Sequence, residues 1–205
     1  MKLYYAPGAC SIGIHVLLEE IGKPYQAEPV NLRDGAQFKP PFTGVNAKAK
    51  VPTLERDDGS ILTEFPVIAR WLARQNPQAN LIPKDEEADT RAMEAMEYIV
   101  GTIHSQGFTR IFRTDRFAPS QSDHEAVKAT GRENAEKGFA LIDKQLEGKQ
   151  YLARGSALSY YEFRVPIAER VTDHDWKAYL ESGKGKPRPP WTASFFIDKP
   201  CHKFD

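Results

Sequence analysis

Cys10 and Ser11 place a thiol and a hydroxyl side by side where a strand pattern gives way to a helix pattern. The run Leu3-Tyr4-Tyr5-Ala6 is apolar and aromatic, Pro7 and Gly8 break it, and Ile12 to Ile21 reads as a helix ending at Gly22. Ser11 is a good N-cap residue for that helix. A helix start leaves backbone N–H groups without partners and carries partial positive charge, so it favours anions. A thiolate is an anion suited to that place. An ordinary thiol has a pKa of about 8.5, and each unit of lowering requires about 1.4 kcal/mol of preferential stabilisation of the anion. Plainer roles stand beside these: free cysteines are often buried and inert, and a serine can simply cap the helix.

The elements that must hold this pair follow in order. Tyr25 to Leu32 reads as a second strand, and Arg33 to Lys50 as loop with one short helix. Val51 to Glu55 reads as a third strand, and Asp57-Asp58-Gly59-Ser60 as a hairpin turn because Asp-Gly accepts positive φ. Ser60 to Thr63 is then an antiparallel fourth strand. A helix from Glu64 to Gln75 follows, with Val67, Ile68, Trp71 and Leu72 as its apolar face. The order β-α-β, β-β-α predicts a thioredoxin-like α/β domain over residues 1–77. Residues 78–87 read as a linker, and residues 88–205 as an all-α domain. Met93, Met96, Val100 and Ile103 form a core stripe on a helix expected to run to Phe117. Ser122-x-x-Glu125 and Ser159-x-x-Glu162 have the form of capping boxes. Asp173 to Leu180 reads as a further short helix and Gly183 to Pro190 as loop.

The 205 residues carry 28 basic and 28 acidic side chains, a balance that argues against nucleic-acid binding through bulk charge. Two cysteines, Cys10 and Cys201, form neither a disulfide framework nor a C-x-x-C motif, so no metal site is expected. No apolar run is long enough to span a membrane. Strand character from Leu3 leaves no room for a signal peptide, and the expected location is the cytoplasm.

The stretches KLYYAPGACSIGIHVLLEE, VPTLERDDGSILTEFPVIARWLA and EYIVGTIHSQGF resemble the cytosolic glutathione transferases, most closely their bacterial beta class. The resemblance is good over residues 1–150 and weak beyond. It implies no prosthetic group, glutathione as co-substrate, a small hydrophobic electrophile as second substrate, and a homodimer. It makes Cys10 the cysteine against the glutathione sulfur, Ser11 the neighbouring hydroxyl, and Tyr5 and His104 further residues of the catalytic set. His15, one turn after Ser11, could hydrogen-bond back into the loop or serve structure alone. Val51, before a Pro52 implied to be cis, would offer backbone groups to an extended peptide. Glu64 would face the γ-glutamyl amine. Phe65 stands where the family often has serine, leaving only a backbone N–H for the γ-glutamyl carboxylate. Ser105 stands where lysine is frequent, and Glu97 where the family can reach a partner subunit's glutathione. Both also suit a solvated helix face.

The leading expectation is a glutathione transferase, used in detoxification, that conjugates small hydrophobic electrophiles. A glutathione-dependent thiol-disulfide oxidoreductase or peroxidase using Cys10 is an alternative. A non-catalytic ligand-binding protein of the same fold is another.

Overall fold

A computed structural model gives the fold and describes residues 1–147 and residue 152. The second capping box, the helix at 173–180, the loop at 183–190 and Cys201 lie outside the described residues. The described chain divides into two units, one comprising Met1–Phe65 and the other beginning at Pro66.

The first unit is a mixed four-stranded sheet of order β2-β1-β3-β4. β1 (Lys2–Tyr5) leads into α1 (Ser11–Ile21) and then β2 (Gln26–Pro29), which pairs parallel to β1. β3 (Thr53–Glu55) runs antiparallel to β1, and β4 (Ile61–Thr63) antiparallel to β3. α1 stops where expected: Gly22 takes φ 71° and its N–H closes on the Leu18 carbonyl, a conformation glycine adopts without Cβ strain. Gly59, at φ 79°, turns the β3–β4 hairpin. Leu3, Ile14, Leu17, Leu18 and Leu54 are fully buried and form the centre of this unit.

β2 is shorter than the strand expected over Tyr25 to Leu32. The Asn31 side-chain oxygen accepts from the backbone N–H groups of Arg33 and Asp34, which curls the chain off the sheet edge. The segment that follows holds a 3₁₀ turn at Ala36–Phe38 and a short helix, α2 (Phe42–Val45). Phe42 packs with Tyr4 and Val30 in a small cluster that Val51 joins.

The second unit is helical. α3 (Phe65–Gln75) buries Ile68, Ala69, Leu72 and Ala73 completely, whereas Val67 is half exposed. The apolar face therefore lies one residue away from the position expected of Val67. Pro66 occupies the first turn, where its missing N–H costs nothing. α4 (Glu86–Tyr98) begins once the Asp85 carboxylate accepts from the Ala88 N–H at 2.8 Å. Its Asp89 receives Arg70 of α3 at 2.5 Å and Arg74 at 3.7 Å.

The helix does not continue unbroken to Phe117. It widens into a π-helical stretch over Ile99–Phe108 and returns to α5 (Thr109–Phe112). It then stops as Arg113 leaves helical geometry at φ −134° and ψ 48°. The expected core stripe is only half right: Met96 and Ile103 are buried, with Ala92, Ile99 and Gly107 completing the buried face rather than Met93 and Val100. Ser122 is not the cap of the next helix. Its hydroxyl lies against the Ser120 hydroxyl, and α6 (His124–Leu146) starts from Asp123 without a side-chain cap. Small residues on α6 permit close packing. A Cβ at Gly138 would sit 2.4 Å from Ile103, and one at Gly131 would sit 2.9 Å from the Gly107 carbonyl.

Candidate functional site around Cys10

The loop between β1 and α1 is closed by Ser11. Its side chain is fully buried, accepts from the Ala6 N–H at 3.1 Å and donates to the Ala6 carbonyl at 3.3 Å. Ser11 is thus the first residue of α1 and not its N-cap; Cys10 holds the cap position without a capping hydrogen bond. The hydroxyl turns back because a fully buried polar group must find its partners inside the protein. Gly8, at φ 74°, and the hydrogen bond from Ala9 N–H to the Ala6 carbonyl complete the turn.

Cys10 keeps some exposure, and its thiol donates to the Val51 carbonyl at 3.7 Å. The surrounding protein nevertheless pushes the thiol up to about 11. Burial is the main cause. The backbone N–H groups of Cys10 and Ser11 pull the other way, the Glu64 carboxylate adds to the rise, and Lys50 opposes it. At neutral pH Cys10 is therefore a thiol, not the thiolate its helix-start position suggests. Desolvation outweighs the helix terminus here.

Val51–Pro52 is a cis peptide bond. Two buried polar residues brace the approach to it. The Asn46 side-chain amide donates to the Lys50 carbonyl and to the Thr53 hydroxyl, both at 2.9 Å, and the Thr53 hydroxyl donates to the Lys50 carbonyl at 2.9 Å. Neither residue stands out in the sequence, because their purpose shows only when the loop is folded.

Glu64 immediately precedes α3 and takes φ 69°. A non-glycine residue in that left-handed region costs about 1 kcal/mol or more. Its half-exposed carboxylate accepts from Lys48 at 2.7 Å, and the same ammonium donates to the Thr63 hydroxyl at 2.9 Å. Lys48 carries no motif in the sequence, and its pairing with Glu64 spans sixteen residues. Phe65 is buried and opens α3.

Tyr5 lies with its ring 4.9 Å from that of His15, and His15 lies 5.6 Å from Tyr25 on its other side. Burial lowers the His15 pKa, partly offset by Glu19, which accepts from the Tyr25 hydroxyl. The structure therefore sets Cys10 and Ser11 at the start of α1 beside the cis Val51–Pro52 bond and within the field of the Glu64 carboxylate, while Tyr5 lies against His15.

Glu97, His104 and Ser105 belong to the second unit. Glu97 is exposed on α4 with no side-chain partner among the described residues. His104 and Ser105 lie on the π-helical stretch. There the Ser105 hydroxyl donates to the Val100 carbonyl at 2.7 Å, and the His104 carbonyl accepts from the Thr109 hydroxyl at 3.1 Å. No group of side chains able to hold a metal ion occurs among the described residues. No described helix is long and apolar enough to cross a membrane.

Comparison with known proteins follows the same lines. Residues 8–75 match the family described as glutathione S-transferase, N-terminal domain. Residues 53–192 match a family described as a protein of unknown function (DUF3160), which assigns no activity. Glutathione S-transferase GstA of Escherichia coli O157:H7 is 33% identical over 154 residues, covering 74% of this chain and 73% of that protein. Among solved structures, a sphingomonad glutathione S-transferase complexed with glutathione aligns with a TM-score of 0.72 and 30% identity, covering 95% of this chain and 97% of that one. A bacterial beta class glutathione S-transferase from Sphingomonas chungbukensis aligns with a TM-score of 0.70 and 29% identity, covering 89% and 90%. The chain belongs to the glutathione S-transferase family. Its fold is that family's, a thioredoxin-like α/β unit with a helical region following.

Proposed function

We propose that this chain binds glutathione across Cys10, Val51 and Glu64 and joins its sulfur to small hydrophobic electrophiles. Glutathione is the co-substrate and the reaction class is that of a glutathione transferase. The observation that carries the reading is the Cys10 thiol at the start of α1, bonded to the Val51 carbonyl beside the cis Pro52 and within the field of the Glu64 carboxylate.

In this reading the glutathione peptide runs past Val51 and Pro52 as an added strand. The Glu64 carboxylate meets the γ-glutamyl ammonium, and the backbone N–H of Phe65 meets the γ-glutamyl carboxylate. The glutathione thiol gives up its proton to solvent at the N-terminus of α1, where the backbone N–H groups favour the anion. Cys10, held as a thiol on the Val51 carbonyl, lies beside that sulfur and does not compete with it as a nucleophile. The sulfur then bonds to the electrophilic carbon as a leaving group departs or an epoxide C–O bond opens. Ser11 closes the loop through Ala6, and Tyr5 packs against His15 of α1. His104, Ser105 and Glu97 are assigned to the same function by family resemblance. Residues 1–77 bind glutathione, 78–87 link, and 88–205 contribute the electrophile pocket of a cytoplasmic homodimer.

Calorimetric titration with glutathione under reducing conditions tests the site, on the wild type and on Cys10→Ala. Binding is expected in both, followed by conjugation of one or more of a panel of aryl halides, epoxides and isothiocyanates. Absence of binding in the wild type would reject the reading. Loss of all activity in Cys10→Ala, with disulfide reduction as the wild-type reaction, would favour a thiol-disulfide oxidoreductase.

A further inference from the structure

We infer that Lys48 is a glutathione-binding residue, recognising the α-carboxylate of the γ-glutamyl head and doing the work of the hydroxyl that Phe65 lacks. The inference rests on the glutathione reading above. Its basis is the ion pair beside α3, where the Lys48 ammonium lies 2.7 Å from the Glu64 carboxylate and 2.9 Å from the Thr63 hydroxyl. Lys48 and Glu64 are each about half exposed, at 55% and 51% of their side-chain surface, so both charges can be reached from solvent.

The γ-glutamyl head of glutathione is itself a zwitterion, an ammonium and a carboxylate on one carbon. An adjacent carboxylate and ammonium on the protein form the complementary pair. A carboxylate has about four lone-pair sites and an ammonium three donors, so each can keep its present partner while accepting a second. Glu64 then takes the ligand's ammonium and Lys48 the ligand's carboxylate, and the four charges alternate in sign. The left-handed backbone of Glu64, at φ 69°, holds this carboxylate at the entry to α3, and the Thr63 hydroxyl steadies Lys48 from the strand side. The buried Phe65 side chain offers no donor. Lys48 is thus the cation best placed to supply one.

The test is calorimetric binding to the full chain and to Lys48→Met and Lys48→Arg. Three ligands are used: glutathione, its analogue without the γ-glutamyl α-carboxylate, and its analogue without the α-ammonium. Lys48→Met is expected to weaken glutathione binding about three- to tenfold, as befits one partly exposed charge-assisted contact. It should leave the decarboxylated analogue unchanged, and Lys48→Arg should restore most of the affinity. Thermal melting establishes that the variants are folded. Unchanged glutathione affinity in Lys48→Met, or equal weakening of glutathione and the decarboxylated analogue, would overturn the inference alone. Failure of the wild type to bind glutathione would overturn both the inference and the reading beneath it.

Discussion

The Ser11 hydroxyl and the Ala6 backbone exchange two hydrogen bonds, one in each direction, at 3.1 and 3.3 Å across the turn that leads into α1. This exchange holds Cys10 at the helix start, so loop geometry and site geometry depend on one buried side chain. Ser11→Ala leaves both Ala6 groups without that partner in the interior. A loss of about 1–3 kcal/mol in unfolding free energy is expected, read by urea denaturation. Ser11→Thr, which keeps the hydroxyl, should recover part of it. An unaltered denaturation midpoint in Ser11→Ala would remove the loop-closing role.

The Cys10 thiol, pushed up to about 11 by burial, makes a direct chemical prediction. Alkylation of Cys10 in native Cys201→Ser protein at pH 8 should be far slower than that of a free thiol and should climb as the pH approaches 11. The stability consequence has a definite sign. The native state holds the thiol proton more tightly than the unfolded chain. This contribution is therefore intact below about 9 and is lost as the pH rises through about 11. Cys10→Ala should flatten the alkaline limb of a stability–pH curve. A native thiol as reactive at pH 7 as at pH 10 would contradict the placement.

His15, packed between the rings of Tyr5 and Tyr25, is held neutral by burial. Its folded pKa is depressed below the ordinary value of 6.5. The unfolded chain therefore takes up a proton first as the pH falls. Stability is complete above 6.5 and declines as the pH drops from there through the depressed folded value. Denaturation curves between pH 5 and 8 should show this slope in the wild type and a smaller one in His15→Gln. An equal slope in both would assign the acid sensitivity elsewhere.

Gly138 on α6 faces Ile103 with no room for a methyl group, since an added Cβ would lie 2.4 Å from the Ile103 side chain. Gly138→Ala should destabilise the protein by about 1–3 kcal/mol through overpacking, despite alanine's better helix propensity. Gly101 is the internal control, for nothing lies within 4 Å of its added Cβ. Gly101→Ala should be neutral or stabilising by up to about 1 kcal/mol. Thermal melts of the two variants check the pair, and the same response from both would reject tight packing between α6 and the Ile99–Phe108 stretch.

Much of the architecture was legible in the sequence because it is encoded locally. Gly22 and Gly59 stop a helix and turn a hairpin through their own φ angles, and the alternation of strand and helix patterns gives the β-α-β, β-β-α order. Residue type and family pattern single out Cys10, Val51, Pro52 and Glu64 as candidates, and their contacts are what the fold adds. The misplacements have a common cause. Val67 lies on the exposed side of α3 because neighbouring elements, not periodicity alone, choose which edge of an apolar stripe is covered. Ser122 and Asp123 both offer capping chemistry, and the turn at Ser120 decides between them.

Sequence alone determined where backbone direction changes, which elements form, and which reactive group stands at the first helix start. Those are short-range properties of φ and ψ preference and of side-chain type. Tertiary structure decided what that group is chemically: burial keeps Cys10 a thiol, Ala6 takes the Ser11 hydroxyl, and Lys48 reaches Glu64 from a different segment. Desolvation and ion pairing depend on what surrounds a group in space, and residues far apart in the chain supply those surroundings.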